Sequence, residues 1–110
     1  MASSFRHAEE QRGSFFIHSI WIDKSHPSRA VPSRYERFVK SWQEIHADIP
    51  IIHLVWNGES IVTFFQTYFP EHLSFYHSLA AEVQQSDYTR LLLLYTYGGM
   101  YVDVDCQCVH

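Results

Sequence analysis

Two aspartates, Asp103 and Asp105, stand one residue apart directly after the stretch GGMYV. On a strand, residues i and i+2 share a face and lie about 6.5–7 Å apart, so two such carboxylates repel each other. A divalent cation offsets that repulsion, and Mg²⁺ or Mn²⁺ commonly binds one or two carboxylates together with phosphate oxygens. The pair therefore suggests a metal site for a phosphate-bearing ligand, although an isolated D-x-D is more often a solvated turn.

A second pair, Asp87 and Arg90, stands at the start of the predicted helix that precedes the aspartates. Residues i and i+3 are neighbours on a helix surface. A carboxylate beside a guanidinium offers both acceptors and a fork of donors, which suits the hydroxyl groups of a sugar. Taken alone, the same pair is more often a plain helix ion pair.

The elements that must position these residues alternate between strand and helix patterns. Apolar runs rich in β-branched residues predict buried strands, and apolar residues at helical spacing predict the helices. Ser33 and Glu36 form a possible capping box, Pro70 breaks one helical stretch in two, and Gly98–Gly99 ends the last helix. The predicted strands are 14–23, 49–57 and 100–105, and the predicted helices are 33–46, two within 59–85, and 86–97.

This order predicts an α/β fold with a mostly parallel sheet and flanking helices. In open α/β sheets, ligands bind outside the carboxyl ends of the strands, which is where Asp103 and Asp105 fall. Met100, Val102 and Val104 are expected on the hidden face of the last strand. The Leu91–Leu94 run and the aromatic cluster of Phe64, Phe65, Tyr68 and Phe69 are expected in the core, with His18 as a buried, hydrogen-bonded histidine.

Composition excludes several classes of protein. The chain has 110 residues, enough for one domain, and a formal net charge of −4 with no basic run, which gives no reason to expect nucleic-acid binding. We expect a flexible start over residues 1–13 and one domain over 14–110. The sequence has neither a secretory signal nor an apolar run long enough for a membrane span, so a cytoplasmic location is expected.

The final segment, CQCVH, places Cys106, Cys108 and His110 close together. A zinc site is an alternative interpretation. However, zinc ligands are usually more widely spaced, and no fourth ligand is evident. A strand continuing into a loop is the preferred interpretation.

The stretch SDYTRLLLLYTYGGMYVDVD resembles the signature of glycosyltransferases with a DXD sugar-binding region, the family-32-type mannosyl- and galactosyltransferases, with the clostridial glucosylating toxins as relatives. The pattern S-D-x-x-R, a leucine-rich helix and G-G-x-Y-x-D-x-D has every fixed position here. Earlier blocks agree in order: FFIHSIWID is similar to the first strand of the family, and SWQEIHADIPIIHLVWN to its S-W…P…W stretch. The resemblance covers roughly residues 15–108.

The resemblance implies the nucleotide-sugar-binding half of a GT-A fold, which is Rossmann-like. It implies that Trp21 stacks on the nucleotide base, that Asp87 and Arg90 hold sugar hydroxyls, and that Tyr101 shapes the pocket. Asp103 would contact ribose and sugar, partly through the metal, and Asp105 would ligate the metal.

The cofactor implied is Mn²⁺ or Mg²⁺, and the implied donor is a UDP- or GDP-sugar from which a hexose is transferred, with retention of configuration. The acceptor, a glycan, lipid or protein, and the catalytic residue are not readable.

Family members continue beyond the D-x-D, so we expect the donor-binding part of a larger enzyme. The alternative is a non-catalytic remnant that binds a nucleotide-sugar or serves as an interaction module. A parallel sheet that is open at its last strand has an unpaired edge, through which the chain is expected to self-associate.

Overall fold

The computed structural model describes residues 3–43 and 51–105. Within these ranges three strands form one parallel sheet: β1 (Phe15–Ile20), β2 (Ile51–Trp56) and β3 (Met100–Tyr101). The strand order is β2-β1-β3, so β1 is central and the other two strands are edges of the described sheet. The predicted α/β class with a parallel sheet is confirmed, and the fold is compatible with the first half of a GT-A domain.

The helices connect and cover these strands. In chain order they are α1 (Ser4–Glu10), α2 (Glu36–Gln43), α3 (Gly58–Tyr68), α4 (Leu73–Ser78) and α5 (Glu82–Tyr97), with 3-10 turns at Ser33–Tyr35 and Pro70–His72. Asn57 caps α3 by accepting from the backbone N–H of Ser60 at 2.8 Å. No helix in the described ranges is long and apolar enough to cross a membrane.

The register of β1 explains why its sequence is almost uninterruptedly apolar. It pairs with β2 over six positions, Phe15–Ile51 to Ile20–Trp56, and with β3 at Ile17–Met100 and His18–Tyr101. A central strand covered on both faces buries every side chain along it. Accordingly, five of its six residues are buried.

The core is dominated by aromatic rings from the sheet and from α3. Trp56, Phe64 and Phe65 are fully buried, and Tyr97 at the end of α5 packs against Trp56 and Phe64 with ring centroids 6.0 and 5.8 Å apart. Burying a ring of this size contributes about 1.5–3 kcal/mol. Phe64 and Phe65 are therefore core, as predicted, whereas Tyr68 and Phe69 are only partly buried and pack against it.

A buried histidine joins the central strand to the end of α5. The indole of Trp56 donates to His18 Nδ1 at 3.1 Å, so the other ring nitrogen carries the proton and donates to the Gly98 carbonyl at 3.0 Å. His18 is fully buried, as predicted, and burial lowers its pKa to about 4. This chain of contacts holds the turn that starts β3 against β1.

Gly99 is required at that turn. Its φ is +90°, a conformation that residues with a side chain rarely adopt. A Cβ at this position would also lie 1.9 Å from the Phe16 carbonyl oxygen. The second glycine therefore allows the backbone to pass directly over β1, and the D-x-D segment follows from there.

The structure corrects the expectation of a flexible start. Ser3 caps α1, Ala8 on that helix is fully buried, and Ser4 donates to the Val55 carbonyl at 2.6 Å. Glu9 accepts from Tyr68 and Tyr97 at 2.5 and 2.8 Å. These contacts were missed because the helix carries few apolar residues and docks mainly through polar ones.

Three smaller expectations are also wrong. Ser33 lies inside a 3-10 turn, and the capping position is taken by Pro32, which has no capping side chain. α5 begins at Glu82 rather than Ser86. Only Leu93 of the leucine run is fully buried, whereas Leu91 is 64% exposed. Four consecutive residues of a helix point in different directions, and only one side of the helix faces the sheet.

Candidate functional site

A cleft of about 300 Å³ opens at the carboxyl end of the sheet. The end of β1, the start of α5 and the segment after β3 line it. All six residues singled out in the sequence for binding or metal ligation lie on it: Trp21, Asp87, Arg90, Tyr101, Asp103 and Asp105. Residues separated by more than 80 positions are thus brought together, and their individual roles stay predictions.

The last strand is shorter than predicted. β3 ends at Tyr101, the Val102 N–H still donates to the His18 carbonyl at 2.9 Å, and Val104–Asp105 form a turn. Strand alternation therefore stops before the aspartates. Met100, expected on the hidden face, is 40% exposed, and Val104 lines the cleft between the two aspartates. Only Val102 of the three is buried.

The turn has a consequence for the two carboxylates. Asp103 and Asp105 are both exposed, and they reach the same cleft through a turn rather than through one strand face. Among the described residues, neither forms an ion pair with a basic side chain. Both carboxylates thus remain accessible to a cation.

The helix pair has the predicted proximity. Arg90 Nη2 lies 3.6 Å from Asp87 Oδ1 on the first half of α5, and both side chains are about half exposed. The Arg90 guanidinium also lies 5.5 Å from the centre of the Tyr101 ring. A loose, solvated ion pair of this kind adds little to stability, so both groups keep free hydrogen-bonding capacity toward a ligand.

Tyr101 joins the helix pair to the aspartates. Burial, together with the nearby Asp103 carboxylate, raises the pKa of the Tyr101 phenol to about 12, against the opposing effect of Arg90. The hydroxyl therefore keeps its proton at neutral pH. A protonated phenol can donate to an anionic neighbour or to a ligand oxygen.

Trp21 directly follows β1. Its backbone N–H donates to the backbone carbonyl of Trp56 at 2.8 Å, which extends the pairing of β1 with β2 by one residue. Its ring contacts Tyr35, with centroids 5.5 Å apart and planes tilted by 51°. Tyr35 also lines the cleft. An aromatic wall therefore stands on the side supplied by β1 and the turn before α2.

Residues 32–110 match the family described as glycosyltransferase sugar-binding region containing DXD motif. The match covers most of the chain and includes the cleft residues from Tyr35 onward, whereas Trp21 lies before it. The chain belongs to this family. No solved structure matches it.

Several curated proteins are similar to the chain. It is 30% identical over 92 residues to inositol phosphoceramide mannosyltransferase 3 of Schizosaccharomyces pombe, covering 84% of this chain and 24% of that protein. It is 30% identical over 93 residues to mannosyltransferase 1 of the same yeast, covering 84% and 28%. An uncharacterised glycosyltransferase of Acanthamoeba polyphaga mimivirus is 28% identical, covering 84% and 35%. The chain thus spans about a quarter to a third of these relatives.

Membership of the DXD family makes a divalent metal the group to test against this cleft. Within the described ranges, no cluster of three or more His, Cys, Asp or Glu side chains could hold a metal by itself. Two accessible carboxylates fit a Mg²⁺ or Mn²⁺ ion that takes its other ligands from phosphate and water. The donor set therefore fits a metal that binds together with its nucleotide.

The zinc alternative, with Cys106, Cys108 and His110, falls outside the described residues. The relation to the clostridial toxins stays a prediction.

Tyr35 and Glu82 also line the cleft, although the sequence analysis gave neither of them a part in binding. Tyr35 was assigned to the apolar face of a helix. Its real place in a 3-10 turn depends on the preceding Pro32, whose carbonyl accepts from the Tyr35 N–H at 3.0 Å. The available signal was the proline-rich loop followed by an aromatic residue, which favours a turn over a helix start.

Proposed function

We propose that the chain is the donor-binding part of a metal-dependent glycosyltransferase. The proposed reaction transfers a hexose from a UDP- or GDP-sugar to an acceptor hydroxyl. The bond between the sugar C1 and the diphosphate oxygen breaks, a bond from C1 to the acceptor oxygen forms, and the hydroxyl proton leaves. The single observation that carries the proposal is one cleft that gathers the complete D-x-D, the helix pair and Trp21 in a chain of the DXD family.

Each group is proposed to meet one part of the donor. Asp87 and Arg90 would bind sugar hydroxyls, since their loose ion pair leaves donors and acceptors free. Asp103 and Asp105 would hold Mn²⁺ or Mg²⁺. When bound, that metal would act as a Lewis acid and stabilise the negative charge of the departing diphosphate. Tyr101, whose phenol is protonated at neutral pH, would donate to an oxygen of the nucleotide-sugar.

The names of the relatives suggest which substrates to try first. Two are called inositol phosphoceramide mannosyltransferases, and a third, from Saccharomyces cerevisiae, is 24% identical and called a mannosyl phosphorylinositol ceramide synthase. We therefore propose mannose as the first sugar, on GDP, and an inositol-bearing lipid as the first acceptor of the whole protein. Retention of configuration at C1 is proposed with them.

Turnover separates this proposal from a second candidate, a module that binds the donor without using it. This second candidate needs only the binding groups that the cleft brings together, and the chain spans 24% and 28% of two mannosyltransferase relatives. The purified chain is incubated with GDP-mannose or a UDP-hexose and Mn²⁺, and release of free nucleoside diphosphate is followed.

Metal-dependent release that Asp103→Ala abolishes supports the enzyme. Donor binding without release supports the module. Neither binding nor release with any donor would contradict both. The anomeric configuration of the released sugar, read by NMR before it equilibrates, tests retention.

A further inference from the structure

We infer that Tyr35 is the positioning residue that holds the Trp21 ring, so that Trp21 can make the base contact that the family resemblance implies. This inference rests on the proposed function, because it concerns the base-binding side of the same cleft. It adds a residue outside the D-x-D signature, and it assigns to the turn before α2 a part in binding.

The backbone of Trp21 is held by a hydrogen bond to β2, but no hydrogen bond from the described residues orients its indole ring. The ladder bond to Trp56 fixes the main chain at the end of β1. The indole Nε1 is buried, however, and has no hydrogen-bond partner among the described residues. Trp21 lines two cavities, the functional cleft and a second one of about 340 Å³. A side chain at the edge of open space, without a hydrogen bond to orient it, needs a packing partner to keep one orientation.

Tyr35 is that partner. The two rings are tilted by 51° at a centroid distance of 5.5 Å, within the range of favourable aromatic pairs. Such a pair is held by ring geometry, so a phenylalanine can replace the tyrosine whereas an aliphatic side chain cannot reproduce it. The 3-10 turn Ser33–Tyr35 leads straight into α2, which is anchored by the buried Val39, so the position of the ring is fixed by structured backbone.

A nucleobase is the part of the donor that such a surface recognises. Sugar and phosphate require hydrogen-bond partners or a cation, which the Asp87–Arg90 pair and the two aspartates offer. The Trp21–Tyr35 pair offers flat apolar faces, and every base can stack on a ring regardless of its hydrogen-bonding edge. Because the indole nitrogen is buried, Trp21 contributes a face rather than a donor.

The test compares ligands with and without a base. Calorimetry with Mn²⁺ measures the affinity of the chain and of Tyr35→Ala for UDP, GDP and inorganic pyrophosphate. The substitution is expected to weaken UDP and GDP binding about tenfold, at the lower end of the range for losing base stacking, and to leave pyrophosphate binding unchanged. Tyr35→Phe keeps the ring and is expected to bind all three as the unsubstituted chain does.

Two further variants make the result decisive. Tyr95→Ala removes a tyrosine that is 83% exposed and outside the cleft, and it is expected to change none of the affinities. Tyr35→Leu keeps an apolar side chain without the ring, and it is used if Tyr35→Ala does not fold. It is expected to weaken UDP and GDP binding and to leave pyrophosphate binding unchanged.

Equal losses for nucleotide and pyrophosphate, or no loss for either, overturn the inference alone. If the unsubstituted chain binds neither UDP nor GDP with Mn²⁺, the proposed function fails, and this inference with it.

Discussion

At the scale of single residues, the accessibility of Asp105 is the feature on which the metal site depends. Its carboxylate is exposed, lines the cleft and has no ion-pair partner in the described part of the chain. A residue in this position contributes little to folding, since surface substitutions away from special contacts usually stay within about 0.5 kcal/mol. Its value would lie in binding.

We therefore predict that Asp105→Ala abolishes Mn²⁺-dependent nucleotide binding while leaving the free energy of unfolding nearly unchanged. Calorimetry measures the first and urea unfolding the second. Glu71→Ala, which removes an exposed carboxylate outside the cleft, is the matched control and should leave binding intact. An unfolded Asp105→Ala chain would mean that the residue is structural and that the metal assignment is wrong.

His18 is the residue whose protonation should govern stability in mild acid. Burial lowers its pKa from 6.5 to about 4. Between these two pH values, the imidazole is therefore protonated in the unfolded chain and neutral in the folded chain. The free energy of unfolding is therefore fully retained above about pH 6.5. It falls as the pH drops toward about 4, by up to about 3 kcal/mol. Burial also lowers the pKa of His53, which acts in the same direction.

Urea unfolding at about pH 7, 5.5 and 4.5 measures this slope. His18→Gln keeps an acceptor for the Trp56 indole but cannot ionise, so its slope should be shallower. Removing the exposed His77 should leave the slope unchanged. A chain whose stability stays constant or rises as the pH falls through this window would show that His18 is not buried as a neutral ring.

At the scale of elements, the strands and helices with a clear apolar pattern were predictable. β1 and β2 were found because each is a nearly continuous apolar run rich in β-branched residues, as in a strand covered on both faces. α1 was missed because its docking uses Ser4 and Glu9, polar residues that leave no periodic pattern. The end of β3 was overestimated because alternation continues in the letters MYVDVD while the backbone turns at Val104.

The candidate site was likewise only partly predictable from the sequence. The D-x-D and the helix pair were visible in the sequence because each lies within a few residues of its partner. The contact between Trp21 and Tyr35 was not, since it depends on how the proline-rich loop folds back toward the end of β1. No local spacing encodes a contact of this kind.

The turn between α5 and β3 provides a test at this scale, because its two glycines differ in one respect. Both have a positive φ, but a Cβ on Gly98 would meet nothing within 4 Å, whereas one on Gly99 would lie 1.9 Å from the Phe16 carbonyl oxygen. Gly98 has φ +71° and ψ −162°, a region that only glycine adopts readily, so Gly98→Ala should cost about 1–3 kcal/mol for the backbone conformation alone.

Gly99→Ala should add a clash with main-chain atoms that no rotamer can relieve, for a total of about 4 kcal/mol. Urea unfolding of the two variants gives the comparison. Equal losses at both positions would mean that the backbone of the turn does not pass close over β1.

At the scale of the whole molecule, several apolar side chains remain exposed. Val83, Leu91 and Tyr95 on α5 are 66%, 64% and 83% exposed, and Met100 on the edge strand β3 is 40% exposed. Leu91 and Tyr95 lie one turn apart on the same side of the helix, whereas Val83, two turns earlier, is turned about 80° from Leu91 and lines the cleft. β3 also lacks a strand partner on its outer side within the described sheet.

We predict that the isolated chain self-associates, because pairing would cover this surface at about 25 cal/mol per Å² of apolar area buried. Sedimentation velocity over a range of concentrations measures it. Leu91→Glu places a charge on this exposed surface and should shift the distribution toward monomer. A monomer at all concentrations, with a cooperative melt at high temperature, would show instead that the helices already cover the sheet sufficiently.

The central claim is that this cleft binds a divalent metal and a nucleoside diphosphate together. Calorimetric titration of Mn²⁺ into the chain, with and without UDP or GDP, tests it most directly. Two carboxylates leave most of the coordination sphere to diphosphate and water, so the affinity for Mn²⁺ should rise when the nucleotide is present, and that gain should vanish in Asp105→Ala. Equal Mn²⁺ affinity in the presence and absence of both nucleotides would contradict the claim.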